Sequence, residues 1–104
     1  EPSVAILDEN SGTTVSERVK DFVLKLESDF KDVGQELDHV VLPFRMTREV
    51  DIYLKGRSEY YKLSVDRDSA VQAEDVSRML NYVDKNSIKA VYVDVRVEGK
   101  AYYK

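Results

Sequence analysis

The most constraining feature of this chain is a stretch near its end in which valine occupies every second position. The stretch places Val91, Val93, Val95 and Val97 in alternation with Tyr92, Asp94, Arg96 and Glu98. Because successive side chains of a strand point to opposite faces, this alternation predicts a strand with one apolar and one polar face. Such a strand needs other elements to cover its apolar face.

Apolar residues at helical spacing predict two helices. The first runs from about Val15 to Lys31, opened by a capping box with Thr14 as the N-cap and Glu17 at N3. The second begins at the capping box Ser69–Gln72, for which Asp68 is the alternative N-cap. Each helix carries an apolar stripe, so each can cover part of one face of a sheet.

Further strands are predicted from alternation and from turn residues. They lie at Val4–Leu7 (a strand or an extended lead), His39–Leu42, Glu49–Leu54, Tyr60–Asp66 and Lys100–Lys104. A hairpin is predicted from Glu49–Leu54 and Tyr60–Asp66, which flank the turn Lys55–Ser58. Pro43 limits the strand before it to an edge or an end.

We therefore expect one α+β domain that spans residues 1–104. Two helices should lie on one face of a mostly antiparallel, or mixed, sheet of about five strands. The predicted core contains Phe22, Leu26, Ile52, Leu54, Leu63, Val76, Leu80, Val93 and Val95.

Net charge and composition exclude several classes of function. The 104 residues carry 16 Lys and Arg against 20 Asp and Glu, a net charge of −4 with no long run of either sign. Nucleic-acid binders show a basic stripe and anionic membranes attract polybasic clusters, so the sequence indicates neither partner. The absence of Cys excludes disulfides, thiolate catalysis and Cys-based zinc sites.

No segment of the sequence is apolar enough to cross a membrane. The longest apolar run, Val40–Phe44, is far shorter than the ~20 residues of a membrane-spanning helix. No signal peptide is evident. Because the chain begins with Glu1 rather than Met, we expect it to be a piece of a longer protein, whose other parts could carry an anchor.

Candidate catalytic and metal-binding residues are sparse. His39, the only histidine, has no nucleophile near it in sequence, which favours a surface histidine over a general base. The carboxylates near Asp66 and Glu74 lack the Gly and Glu spacing of a calcium loop, and acids early in a helix complement its dipole. The sequence therefore predicts no enzyme, no cofactor and no metal site.

Asp94 and Arg96 lie two residues apart, hence on the same face of their strand. Three interpretations stay open: a catalytic pocket, a cross-strand ion pair, and a protein interface. Arg and Tyr are enriched at interface hot spots, which connects Arg96 with Tyr92 and Tyr102.

Tyrosine is abundant, with seven Tyr and no Trp. The doublets Tyr60–Tyr61 and Tyr102–Tyr103 must each place one ring on either face of a strand. We expect one ring of each doublet to pack on the core and the other to face water or a partner. The outward ring fits either simple strand propensity or an interface.

The end of the chain predicts a docking edge. A final strand at the edge of a sheet offers unpaired backbone groups that another chain can extend. The candidate partner-binding residues are Tyr92, Arg96, Lys100, Ala101, Tyr102 and Tyr103. The same open edge could serve a homodimer.

The segment Glu49–Lys104 resembles the C-terminal half of the β domain of the bacterial cell division protein FtsQ, called DivIB in Gram-positive bacteria. Its hairpin turns at Lys55–Arg57 and is followed by a helix. Val91–Val97 then carries the hydrophobic-Asp-hydrophobic-Arg pattern of the family, and Glu98–Lys104 resembles the short terminal strand. The first helix and His39–Phe44 are more loosely similar to the helix and strand that precede the hairpin in the family.

The resemblance implies a non-enzymatic scaffold of the divisome that acts in septum formation. It implies a parent protein that spans the cytoplasmic membrane once and holds this domain on the extracytoplasmic side, after a POTRA domain. Family members bind the small coiled-coil membrane proteins FtsB (DivIC) and FtsL, and a partner adds a strand to the terminal strands. This mode of binding agrees with the docking edge inferred from the residues.

Two other functions stay open. The chain could be an interaction module of another cell-envelope or secretion assembly. It could also be a ligand-binding or hydrolase fragment whose site is completed by residues outside it. The upstream sequence would separate them, because a membrane helix with a POTRA-like domain supports the scaffold and a catalytic motif supports the hydrolase.

Overall fold

The computed structural model of the chain describes residues 2–10, 15–45 and 48–104. Its elements in chain order are β1 (Ala5–Asp8), α1 (Glu17–Asp32), β2 (Leu37–Leu42), β3 (Glu49–Leu54), β4 (Tyr60–Ser64), α2 (Ser69–Lys85), β5 (Tyr92–Asp94) and β6 (Tyr102–Tyr103). The strands form one sheet in the order β1-β2-β3-β4-β5-β6. The expected α+β fold is confirmed, and the sheet has six strands because the leading segment also pairs.

The connections explain why both helices lie on the same face. β1 and β2 are parallel and joined by α1, and β4 and β5 are parallel and joined by α2. The two units run in the same direction, since β2, β3 and β4 form an antiparallel meander. Right-handed crossovers that advance the same way across a sheet place their helices on one side. The opposite side, here called the open face, has no helix in the described part of the chain.

The predicted core is confirmed. All nine of its residues are at most 7% exposed, and they belong to one cluster with inward residues of both helices and of β2 to β5. In the doublet of β4, Tyr61 is fully buried in this cluster while Tyr60 lies on the open face. Neither helix in the described residues is long and apolar enough to cross a bilayer.

Both helix starts differ from the first choice made on sequence. The amide of Val19 donates to the Ser16 hydroxyl at 3.2 Å, so the N-cap of α1 is Ser16; the predicted cap Thr14 lies outside the described residues. In α2 the amide of Val71 donates to the Asp68 carboxylate at 3.0 Å, which confirms the alternative cap. The Ser69 hydroxyl instead donates to Asp29 of α1 and links the two helices.

The helix ends share one motif. Gly34 has φ of 78° and follows α1, where the amide of Gln35 donates to the Phe30 carbonyl at 2.8 Å. This is the Schellman arrangement, in which a glycine with a left-handed backbone ends the helix. Ser87 takes the same place after α2 with φ of 52°, and Ile88 donates to Val83 at 2.9 Å. A serine there carries the steric cost of a left-handed backbone that glycine avoids.

The valine strand is shorter than its alternation predicts. Only Tyr92–Asp94 forms β5, and only Val93 and Val95 are buried, whereas Val91 and Val97 are exposed. The alternation therefore extends beyond the packed layer, and its two outer valines stay more than half exposed.

Candidate functional site

The described sheet has two edge strands, β1 and β6, and β6 pairs with β5 alone. Tyr92 and Lys104 exchange both backbone hydrogen bonds, with N···O distances of 3.1 and 3.3 Å. In an antiparallel ladder such pairs alternate with pairs whose N–H and C=O groups point away from each other. Val93 and Tyr103 form the next pair, so the backbone groups of Tyr103 point outward from the sheet. Ala101 lies just before β6, where the same alternation, if continued, would turn its backbone groups outward as well.

The two rings of β6 lie on opposite faces, as predicted, but neither packs in the core. Tyr102 is opposite Asp94 on the open face and Tyr103 is opposite Val93 on the helix side. They are 55% and 48% exposed, which corrects the expectation that one ring of this doublet is buried. The helix layer does not extend over β6, and both rings therefore border the free edge.

The turn before β6 adds two of the predicted residues to this edge. Lys100 donates its amide to the Val97 carbonyl at 3.2 Å, and both Lys100 and Ala101 are exposed. A shallow groove of about 190 Å³ separates this turn from α2. Its lining consists of Asp75, Arg78, Met79, Gly99, Lys100 and Ala101. The groove gives the edge a recess on its helix side.

Arg96 is engaged within the domain. Its guanidinium donates to the Asp94 carboxylate through Nε at 2.9 Å and Nη2 at 2.7 Å, and to Glu49 Oε1 through Nη1 at 2.7 Å. Burial raises the pKa of the Asp94 carboxyl, but the hydrogen bonds and charge of Arg96 outweigh it, so that pKa lies below its ordinary value. Of the three interpretations made on sequence, the structure shows an ion pair, both within the strand and across the sheet.

Tyr92 belongs to a row of rings that sequence reasoning missed. His39, Tyr53, Tyr60 and Tyr92 come from β2, β3, β4 and β5, with successive centroids 4.3, 5.0 and 5.8 Å apart. The first two contacts are stacked, so ring faces are directed at one another. Lys62 Nζ lies 4.1 Å from the Tyr92 centroid. The aromatic row therefore links β2 to β5 across the open face, and its inner ring faces pack against one another.

A second polar network was also missed and has a structural role. The Tyr61 hydroxyl and Arg57 Nε both donate to Glu59, each at 2.6 Å, and Arg57 also donates to Asp84 of α2 at 2.7 and 3.0 Å. Burial raises the pKa of Glu59, but these donors outweigh it and the pKa is lowered. The network ties the hairpin turn to α2.

The predicted site residues therefore fall into two groups. Lys100, Ala101, Tyr102 and Tyr103 gather at the free edge, whereas Tyr92 and Arg96 are held by neighbours on the open face. The described residues hold no group of three His, Cys, Asp or Glu that could bind a metal ion. Comparison with protein-family models and with curated proteins gives no match for this chain.

Proposed function

We propose that this chain is a non-enzymatic scaffold domain of the bacterial divisome, of the FtsQ/DivIB type, which binds a partner by strand addition at β6. The observation that carries the proposal is the β6 edge of the sheet, where the backbone groups of Tyr103 point outward and the rings of Tyr102 and Tyr103 are exposed. An edge of this kind is the surface that an added strand extends.

The partner is proposed to be an FtsB/DivIC-like protein that acts together with an FtsL-like protein. The parent of this domain would be anchored in the cytoplasmic membrane and would hold it on the extracytoplasmic side. The resemblance of Glu49–Lys104 to the family supports these assignments.

The added strand would contact the edge in three ways. Its backbone would exchange hydrogen bonds with Ala101 and Tyr103, which gives affinity without demanding particular side chains. Its side chains would alternate between the open face, where they meet Tyr102, and the helix side, where they meet Tyr103. A partner side chain on the helix side could also enter the groove beside Met79. Lys100 is exposed and is suited to a partner carboxylate, because Arg96 is already engaged.

A pair of proline substitutions tests the edge. Ala101→Pro removes an outward amide, so it should leave the fold intact and weaken binding of a labelled FtsB/DivIC-type peptide at least ~10-fold, or about 1.4 kcal/mol. Tyr102→Pro is the matched control, because the Tyr102 amide faces β5 and its loss should loosen β6 itself.

Fluorescence anisotropy would measure the peptide affinity, and circular dichroism with urea unfolding would measure the fold. A folded Ala101→Pro variant that binds at full affinity would contradict strand addition, as would a folded protein lacking residues 100–104 that still binds. Sedimentation of the protein alone tests the homodimer, since an edge that pairs with a second copy gives a concentration-dependent dimer sensitive to Ala101→Pro.

A further inference from the structure

Two carboxylates are buried on the face of the sheet that no helix covers in the described residues. Glu49 and Asp51 occupy outward positions of β3, two residues apart, and are 6% and 7% exposed. An ionised carboxylate that is removed from water needs cations or hydrogen-bond donors in compensation. The neighbouring side chains show which of the two carboxylates receives such cations and donors.

The nearby cations contact Glu49 rather than Asp51. Arg96 Nη1 lies 2.7 Å from Glu49 Oε1, and Lys62 Nζ lies 3.9 Å from Glu49 Oε2. The rest of the Arg96 guanidinium binds Asp94. No ion pair reaches Asp51 within the described residues, and its Oδ1 has no hydrogen-bond partner there.

The groups that face Asp51 from the other strands do not supply a further cation. Directly opposite it are Val41 on β2 and Lys62 on β4. The other titratable or charged groups of this face are Glu49 and Tyr53 on its own strand, Glu9 after β1, His39 on β2, Tyr60 on β4, and Tyr92, Asp94 and Arg96 at β5. The two cations Lys62 and Arg96 are therefore outnumbered by carboxylates.

We propose that Asp51 holds a proton at neutral pH and donates it to Glu49, so that the pair carries one negative charge and acts as a pH-sensitive element of the fold. Two like charges in one buried site cannot both ionise at low cost, and a shared proton removes that repulsion. Burial is the main cause that raises the pKa of Asp51 to about 8; hydrogen bonding to Glu49 and the negative charge of Glu49 add to it, and the charge of Lys62 opposes it.

The sign of the effect on stability follows from the raised pKa. In the unfolded chain Asp51 has the ordinary value of 3.8, and in the folded domain about 8. Stabilisation by the bound proton is therefore complete below about pH 4 and is lost as the pH rises through about 8. This element needs no binding partner, so it stands apart from the proposed docking function.

The first test is urea unfolding between pH 5 and 9. The wild-type folding constant should fall up to ~10-fold per pH unit over pH 5 to 8 because of this single proton. Asp51→Asn keeps the shape and an N–H donor toward Glu49, so it should lose this slope and be the more stable protein at pH 9. Asp21→Asn, which alters an exposed carboxylate of α1, is the matched control and should keep the slope. An Asp51→Asn variant with the wild-type slope overturns the proposal.

The second test measures the proton directly, and its main measurement uses the wild-type protein alone. Carbon-detected NMR of the wild-type carboxyl groups should show Asp51 titrating with a midpoint several pH units above that of an exposed aspartate. Glu49→Gln should lower that midpoint, since it removes the negative neighbour. A midpoint below pH 5 in the wild type would refute the bound proton, and a midpoint unchanged by Glu49→Gln would refute its sharing.

Discussion

Arg96 and Glu49 are joined across the sheet: Nη1 of Arg96 lies 2.7 Å from Oε1 of Glu49, over the intervening strand β4. Arg96, two residues beyond the end of β5, is thereby tied to the first residue of β3. The remaining donors of Arg96 fix Asp94, the last residue of β5. This ion-pair bridge fixes the end of β5, the strand with which β6 pairs.

Replacing Arg96 by Lys should show how much this bridge stabilises the domain. A lysine has no planar fork and cannot bind Asp94 and Glu49 together, so we expect a loss of ~1–2 kcal/mol in the free energy of unfolding. Arg78→Lys is the control, because Arg78 is exposed and its pair with Asp75 should be worth less than ~0.5 kcal/mol. Equal losses in urea denaturation would argue against a special role for the bridge.

Leu80→Ala tests the packing of α2. Leu80 is buried in the core cluster, and removing it should cost ~2–5 kcal/mol. Leu24→Ala makes the same change at a half-exposed position of α1 and should cost less than ~1 kcal/mol. Thermal or urea unfolding would measure both losses. A larger loss for Leu24→Ala than for Leu80→Ala would mean that the buried face of α2 is assigned wrongly.

The shared motif at the helix ends gives a reciprocal prediction. Ser87→Gly should stabilise the domain by ~0.5–1 kcal/mol, because glycine adopts the left-handed backbone without steric cost. Gly34→Ser should destabilise it by a similar amount for the same reason, since no atom crowds a Cβ at Gly34. Changes of the same sign in both variants would contradict the backbone argument.

The exposed rings of β6 should matter for binding more than for folding. Tyr102→Ala and Tyr103→Ala should leave the unfolding free energy within about 1 kcal/mol, since both rings lie outside the core. At least one should weaken an FtsB/DivIC-type peptide by ~2 kcal/mol or more. Phe44→Ala removes an exposed ring at the far side of the sheet and serves as the control in calorimetry. Unchanged affinity in both tyrosine variants would remove the rings from the docking surface.

The fold could be predicted because its signals are local. Helical spacing, capping residues and alternation identify α1, α2 and the hairpin without knowledge of the rest of the chain. The N-cap of α1 differs from the expected one because Thr14 and Ser16 both satisfy the residue preference of an N-cap, and the sequence pattern does not distinguish between them.

The site could be predicted only in part, because its details depend on strand register. The placement of Tyr102 and Tyr103 on opposite faces of the last strand followed from alternation, whereas the exposure of both rings did not. The burial of Asp51, the aromatic row and the outward backbone groups of Tyr103 depend on which residues of neighbouring strands lie side by side. Local sequence patterns do not determine this register.

The aromatic row has a consequence for the free edge at the other side of the sheet. A slip of one residue in β3 would turn Tyr53 into the apolar layer and separate it from both His39 and Tyr60. The stacked rings therefore favour a single strand register from β2 to β5. Since β6 takes its alignment from β5, the rings on the open face indirectly select which backbone groups the edge presents to an incoming strand.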